Sequence, residues 1–232
     1  MIDTVWAIVP GKKLALANGR LTAVLSVAER QRLASSMLSD VLATLAASEL
    51  LTGILVASED TQINSIANSF GARCLPDFVD TGLSPALTTA SCLLADEGAQ
   101  GIVAVHADLP LLTTADIDRV IESLAHQPTV TLAPAESDLG TNVLALSPPG
   151  VIDYEFGKRS SERHAAAAEA RSIKPNFIET PGLGFDLDTL EDLVQFASDP
   201  SNTRTFFYLV ESGIRDRILE LQPNQLRYVG TR

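Results

Sequence analysis

The chain predicts an α/β protein: a three-layer αβα sandwich built on a mostly parallel, mixed sheet. Short apolar runs alternate with helix-period segments through the first half, the pattern of βαβ units that cover both faces of a parallel sheet. Several of these runs stop at Gly, Pro or Asp, where a buried strand gives way to a loop. Hydrophobic residues fill 46% of 232 positions, enough for one generous core.

In chain order, VWAIV (Val5 to Val9) is a short apolar run ended by Pro10-Gly11, as in a buried parallel strand. Ser26 with Glu29 forms an S-x-x-E capping box ahead of a helix through about Ala47, with Leu33, Met37, Val41, Leu42 and Leu45 on one face. GILVA (Gly53 to Ala57) is a second strand, Glu59 to Phe70 a second helix stopped by Gly71, and Ala72 to Leu75 a third strand before Pro76. A helix over Pro85 to Glu97 leads to the strand Gly101 to Ala107, which ends at Asp108. Thr113 caps the next helix with Asp116 at its third position. Thr129 to Pro134 and Asn142 to Leu146 read as strands, followed by an alanine-rich helix, a short strand over Asn176 to Glu179, and one amphipathic helix over Arg204 to Leu221. One domain over residues 1–200 is expected, with 201–232 as a C-terminal helix and tail packed on it or extending from it.

A net charge of −12 argues against nucleic acid or anionic membrane as a partner. No unbroken apolar stretch reaches transmembrane length, and the first apolar run precedes its lysines, the reverse of a signal peptide. A cytoplasmic location is expected. Cys74 and Cys92 are too few for a disulfide framework and read as small core residues. The basic residues gather early: Lys12, Lys13, Arg20, Arg30 and Arg32 against Asp3 and Glu29 within Met1 to Arg32. That asymmetry points to an anion-binding segment on an otherwise acidic protein.

In folds of this kind, ligands lie beyond the carboxyl ends of the strands. The Pro10-to-Leu25 loop, the loop after Leu75, and Asp108 all fall there. The loop reads either as a solvated surface or as a polyphosphate wrap of backbone N–H, ammonium and guanidinium groups; it is neither a Walker A loop nor a GxGxxG turn. Asp108, with Asp186 or Asp188 of DLDT, has the composition of a magnesium site, which favours one or two carboxylates plus substrate phosphates. The alternative is helix capping, a better fit to Asp188, directly before Thr189, than to Asp108, which Leu109, Pro110, Leu111 and Leu112 separate from the helix start. GTN (Gly140 to Asn142) and FGKRSSERH (Phe156 to His164) read as an ordinary polar helix start or as a second anion nest. Of the histidines, His106 is expected to be hydrogen-bonded internally, His126 to lie at the surface, and His164 is a candidate ligand contact. A nucleophilic-serine hydrolase is disfavoured, since no G-x-S-x-G elbow occurs.

Together these motifs resemble a known family. Val9-Pro10, Lys12, Leu14, Arg20-Leu21 and Leu25-Ser26-x-x-Glu29-Arg30 resemble its opening loop; ADLPLLT (Ala107 to Thr113), GTN, FG-x-x-S-x-x-x-H and PGL-x-x-D-x-D-T-x-E-D-L complete the match. The family is the guanylyltransferases that join GTP to 2-phospholactate, phosphoenolpyruvate or 3-phosphoglycerate in biosynthesis of the deazaflavin coenzyme F-420. It is similar in fold to the molybdenum-cofactor guanylyltransferases and to nucleotide-diphospho-sugar transferases of GT-A type. The resemblance spans about Val5 to Leu193. It implies small-molecule substrates, GTP and a phosphorylated three-carbon acid, with Mg²⁺ as cofactor.

The resemblance also implies roles. Lys12 and Arg20 bind the triphosphate and serve catalysis with Asp108; Pro10, Lys13, Gly82, Ser84 and Leu87 complete the nucleotide site. Asp108 and a second acid, Asp188 in preference to Asp186, hold the metal. Thr141, Gly157 and Ser160 seat the acceptor. Asn18 and Gly19 replace the family's usual lysine and serine, Lys13 its proline, Ser84 its asparagine, and His106 its proline before Ala-Asp-Leu-Pro. The C-terminal extension carries no assigned substrate contact; pairing with a second subunit is the expectation for it. Rival readings are a nucleotidyltransferase with a molybdopterin or sugar-phosphate acceptor, and a nucleotide-binding module without catalysis.

Overall fold

Strand β1 (Val5–Pro10) lies inside the sheet, and its alternation sorts the core into two layers. The structure, a computed structural model, describes residues 2–75, 78–79 and 81–221. With β2 (Gly53–Ala57), β3 (Arg73–Cys74), β4 (Gly101–Val105), β5 (Thr129–Pro134), β6 (Thr141–Ser147) and β7 (Asn176–Phe177), β1 forms a seven-stranded sheet in the order β3-β2-β1-β4-β6-β5-β7. Strand β6 runs antiparallel to both β4 and β5, and the remaining pairs are parallel. The sheet is therefore mixed, as expected.

Because successive side chains alternate faces, Ala7 and Val9 of β1 point to one layer and Ile8 to the other. The first layer holds α1 (Val27–Ala46), α2 (Thr61–Ser69) and α4 (Thr114–Glu122), packing Leu42, Ile63 and Ile117 against Val9, Val103 and Val105. The second holds α3 (Leu83–Asp96) and α5 (Ser160–Ala170), packing Leu87, Leu94 and Ala168 against Ile8, Ile102 and Leu144. Every residue of β4 is buried, the signature of a strand covered on both faces.

A further layer lies outside α1. Helices α7 (Leu190–Ser198), α8 (Arg204–Glu211) and α9 (Ile214–Leu219), with Phe185 just after the short α6 (Pro181–Gly184), gather Phe185, Phe196, Phe206 and Ile214 around Leu33 and Met37 of α1, while Leu183 of α6 joins the first layer. Asp40 of α1, 8% exposed, accepts hydrogen bonds from the Arg204 and Thr205 amides at 2.8 and 2.9 Å and from Thr205 Oγ1 at 2.6 Å. That carboxylate satisfies the orphan donors at the start of α8 and ties it to the sheet layer.

The expected capping boxes at Ser26/Glu29 and Thr113/Asp116 are present. The helix expected over Arg204 to Leu221 is instead two, broken at Ser212-Gly213 where Gly213 takes φ +71°, a conformation that ends helices at glycine. Strands end earlier than expected at Val105, Cys74 and Phe177, and α3 begins at Leu83. Cys92 is exposed and Cys74 half-buried; neither is a core residue, because α3 turns Cys92 away while Ser91 and Leu94 face inward. Residues 222–232 of the expected tail, and Pro76, Asp77 and Asp80 of the loop after Leu75, lie outside the described residues. Among the described residues no helix is long and apolar enough to cross a membrane.

Candidate active site

The order β3-β2-β1-β4 means that the chain leaves β1 to one side, returns, and re-enters on the other. The carboxyl ends of β1 and β4 therefore flank the switch point at which α/β sheets open a crevice. A cleft of about 330 Å³ opens there, lined by Pro10, Gly11 and Lys12 after β1, by His106, Ala107 and Asp108 after β4, and by Asp188 from the DLDT stretch. Asn18 and Gly19 of the basic loop, Ala34 and Leu38 of α1, and Gly82 and Leu83 at the start of α3 close its walls.

Asp108 is only half-buried as a residue, yet its Oδ1 is shut from solvent and has no hydrogen-bond partner. Burial pushes its carboxyl up to about 6 against the opposing pull of its own backbone amide, and the charge of Asp188 adds to the rise while Lys12 lowers it. Thr113, not Asp108, caps α4, and Thr189, not Asp188, caps α7 with Asp192 at its third position. Both acids are thereby released from the capping explanation. The Leu187 amide donates to the Asp108 carbonyl at 3.0 Å, which docks DLDT against the end of β4.

Asp186 and Asp188 diverge across Leu187. Asp188 faces the cleft, where Arg20 pairs with it at 2.5 Å. Asp186 lines a separate hollow of about 160 Å³ with Glu136, Asp192 and Gln195, its Oδ1 reached by Asn142 Nδ2 at 3.5 Å. Burial first, then the Asp108 charge, raise the Asp186 carboxyl to about 6. The Arg20–Asp188 pair is well exposed and therefore weak and exchangeable.

An isolated buried carboxylate oxygen is costly and asks for a cation or a donor. Asp108 and Asp188 on one cleft fit a divalent ion that takes its remaining ligands from water and phosphate. No cluster of three or more metal-ligating side chains occurs among the described residues, so an all-protein cage is not what this site offers.

Lys12 is exposed and lines the cleft with Pro10 and Gly82. The other residues expected to bind nucleotide are placed differently. Lys13 turns outward to Glu59 at 3.1 Å. Leu87 is fully buried in the core beneath α3. Ser84 is not in the cleft wall; its Oγ accepts from the Phe156 amide at 3.1 Å and so links α3 to the acceptor segment.

Thr141 and Ser160 come together away from this cleft, 2% and 1% exposed. Ser160 Oγ donates to Thr141 Oγ1 at 3.0 Å, which also contacts His164 Nδ1 at 3.1 Å. The Glu155 amide donates to His164 Nε2 at 2.9 Å, so that nitrogen is the acceptor and Nδ1 carries the proton. Thr141 Oγ1 then accepts from both neighbours, and its own proton is not used within this cluster. His164 is buried, with its pKa lowered to about 4 by burial and the nearby Arg163 charge, in keeping with a neutral ring. Gly157, at φ +125° and exposed, shapes the turn into α5.

Sequence reasoning missed His106. It is not bonded internally through its ring as expected: Nε2 is buried without a partner, although the backbone amide donates to the Asn142 carbonyl at 3.1 Å. Gly182 of the PGL motif has a visible reason: a Cβ there would meet Asp116 Oδ2 at 2.4 Å and the Leu111 carbonyl at 2.7 Å. Only glycine lets α6 pack against the cap of α4.

The sequence model of a family described as "Guanylyl transferase CofC like" matches residues 5–225. The chain belongs to this family. It is 36% identical over 197 residues to a phosphoenolpyruvate guanylyltransferase of Chloroflexus aggregans, covering 82% of this chain and 95% of that one. A protein of the same name from Rubrobacter xylanophilus is 36% identical over 192 residues, covering 83% and 93%. Among solved structures, a candidate nucleotide-diphospho-sugar transferase from Desulfovibrio desulfuricans G20 superposes with a TM-score of 0.75 at 16% identity, covering 96% of this chain and 100% of that one. A 4-diphosphocytidyl-2C-methyl-D-erythritol synthase from Anaerococcus prevotii gives 0.59 at 10% identity, covering 89% and 96%. These likenesses establish the nucleotidyltransferase fold, and membership of the family makes the chain a guanylyltransferase.

Proposed function

We propose that this enzyme transfers the guanylyl group of GTP to a phosphorylated three-carbon acid, releasing pyrophosphate, in coenzyme F-420 biosynthesis. Phosphoenolpyruvate is the favoured acceptor, from the names of its relatives, with 2-phospholactate and 3-phosphoglycerate as the alternatives. The observation that carries the reading is the orphaned carboxylate oxygen of Asp108, set at the switch point beside Lys12 and Asp188.

The acceptor's phosphate oxygen attacks the α-phosphorus of GTP while the bond to pyrophosphate breaks. The attacker is already an anion, so the protein need not remove a proton. The obstacle is repulsion between polyanions: like unit charges about 4 Å apart repel by about 1 kcal/mol in water and about 4 kcal/mol at an effective dielectric of 20. Lys12 offsets part of this from the cleft wall, and Arg20 joins it on the triphosphate by leaving its exposed pair with Asp188. Asp108 and Asp188 would hold Mg²⁺, which when bound supplies charge neutralisation to the transferring and leaving phosphates. Thr141, Gly157 and Ser160 seat the acceptor, with the Thr141 hydroxyl as the donor, since the Ser160 and Ser161 amides are taken by the Gly157 and Leu139 carbonyls. Positioning and fixed charge carry the rate.

The same reading covers the chain as one catalytic domain over residues 1–200 with a packed C-terminal extension, in the cytoplasm, with a homodimer as its assembly; light scattering after gel filtration tests the last point. The function is tested by measuring pyrophosphate release from GTP with each of the three acids, with and without Mg²⁺. Turnover with at least one acid and not with a sugar phosphate is expected. Release with a sugar phosphate alone overturns the acceptor class.

A further inference from the structure

Asp108 is not the only orphan in the cleft. His106 lines the same wall, and its Nε2 is closed from solvent with no hydrogen-bond partner. The ring cannot turn away cheaply. Its backbone amide is tied to the Asn142 carbonyl of β6, and its face lies against Phe156 at a centroid distance of 5.3 Å and an interplanar angle of 35°. Phe156 in turn meets the edge of His164 at 5.0 Å, and its amide is held by Ser84 Oγ at 3.1 Å. His106 thus stands on the β6 side of Asp108, at the join between the nucleotide cleft and the Thr141–Ser160–His164 cluster. A buried imidazole nitrogen left without a partner costs free energy unless a ligand supplies one.

We infer that His106 is a specificity-determining contact to the acceptor, donating a hydrogen bond from Nε2 to an anionic oxygen of the phosphorylated acid as it approaches the α-phosphate. This rests on the acceptor reading above and extends it to a residue outside the Thr141, Gly157 and Ser160 set. A phosphate or carboxylate oxygen only accepts, so Nε2 must be the protonated nitrogen of the neutral ring. His106 is joined through Phe156 to His164 of the proposed acceptor cluster, whereas Asn18 and Ala34 line the cleft from the basic loop and α1, so the contact is assigned to the acceptor and not to the guanine.

The experiment compares three proteins in steady state: wild type, His106→Phe, which keeps the ring against Phe156 but has no donor, and His106→Gln, which restores an N–H. GTP binding is measured separately by calorimetry and reports that each variant is folded. For His106→Phe we expect the acceptor KM to rise roughly ten- to a hundredfold, the range for a lost hydrogen bond to a charged group. GTP affinity is expected to stay within about twofold of wild type, and Gln to recover part of the loss. An acceptor KM unmoved in His106→Phe, or a rise matched by an equal loss of GTP affinity, overturns the assignment. A wild-type protein that binds GTP but turns over none of the three acids overturns instead the acceptor reading on which it rests.

Discussion

The cleft at the ends of β1 and β4 and the polar cluster between β6 and α5 are built on opposite plans. In the cleft, Asp108 Oδ1 and His106 Nε2 are buried without partners, and Lys12 is exposed to whatever enters. In the cluster, Ser160, Thr141, His164 and the Glu155 amide satisfy one another in sequence, with the Thr141 proton unused among these four groups. The contrast separates two ways of preparing for an anion. On the proposed function, the cleft carries an electrostatic cost in the free protein that a bound ligand would relieve, whereas the cluster has its hydrogen bonds in place beforehand. Substitutions in the cleft should therefore strike turnover and leave or even raise stability, whereas those in the cluster should lower stability along with acceptor affinity.

The largest effect is expected at Asp108. Asp108→Asn should reduce kcat by roughly a hundred- to a thousandfold, the scale at which a principal electrostatic element is lost, measured by pyrophosphate release. Lys12→Ala should raise the KM for GTP by roughly tenfold or more, as for a lost charge-assisted contact, with acceptor KM little changed. The same Asp108→Asn protein, free of ligand, should be more stable than wild type at pH 7 by about 1–3 kcal/mol, the equivalent of its raised carboxyl. The sign follows from a folded value of about 6 against the ordinary 3.8: the cost of the charge is fully present above pH 6, fades as pH falls, and is gone near 3.8. Thermal melts across that window check it, and a gain that persists at pH 3.5 would count against it. Ser160→Ala, in the cluster, should instead destabilise by about 1 kcal/mol while raising acceptor KM several-fold. Lys13→Ala, which loses only an exposed pair with Glu59, should change kcat/KM less than Lys12→Ala by a wide margin.

The fold was legible because its signals are local and redundant. Val5 to Val9, Gly53 to Ala57 and Gly101 to Val105 are apolar runs of strand length, and Ser26/Glu29 and Thr113/Asp116 are caps written within four residues. The β6 reversal was not legible, since an antiparallel neighbour is chosen by long-range packing. Within the site, Asp108 stood out because no helix began close enough for it to cap. Which of Asp186 and Asp188 shares its cleft depended on how DLDT docks through the Leu187 amide, a contact between residues far apart in sequence. Lys12 and Lys13 are chemically the same in the sequence, and only the path of the loop past Glu59 separates them. His106 was misjudged because a hydrogen-bonded core histidine and an orphaned cleft histidine leave the same trace in an apolar strand. Leu87 followed the resemblance toward nucleotide, but α3 turns it into the core.

The proposed role of Asp108, to hold the cation through which GTP is gripped, is tested most directly by calorimetry of GTP binding. Wild type should bind GTP at least roughly tenfold more tightly with Mg²⁺ than in chelator, a coupling of about 1.4 kcal/mol or more. In Asp108→Asn that enhancement should vanish while metal-free binding holds or improves, since a repelling carboxylate has gone. An Asp108→Asn protein with the wild-type magnesium dependence would contradict the account.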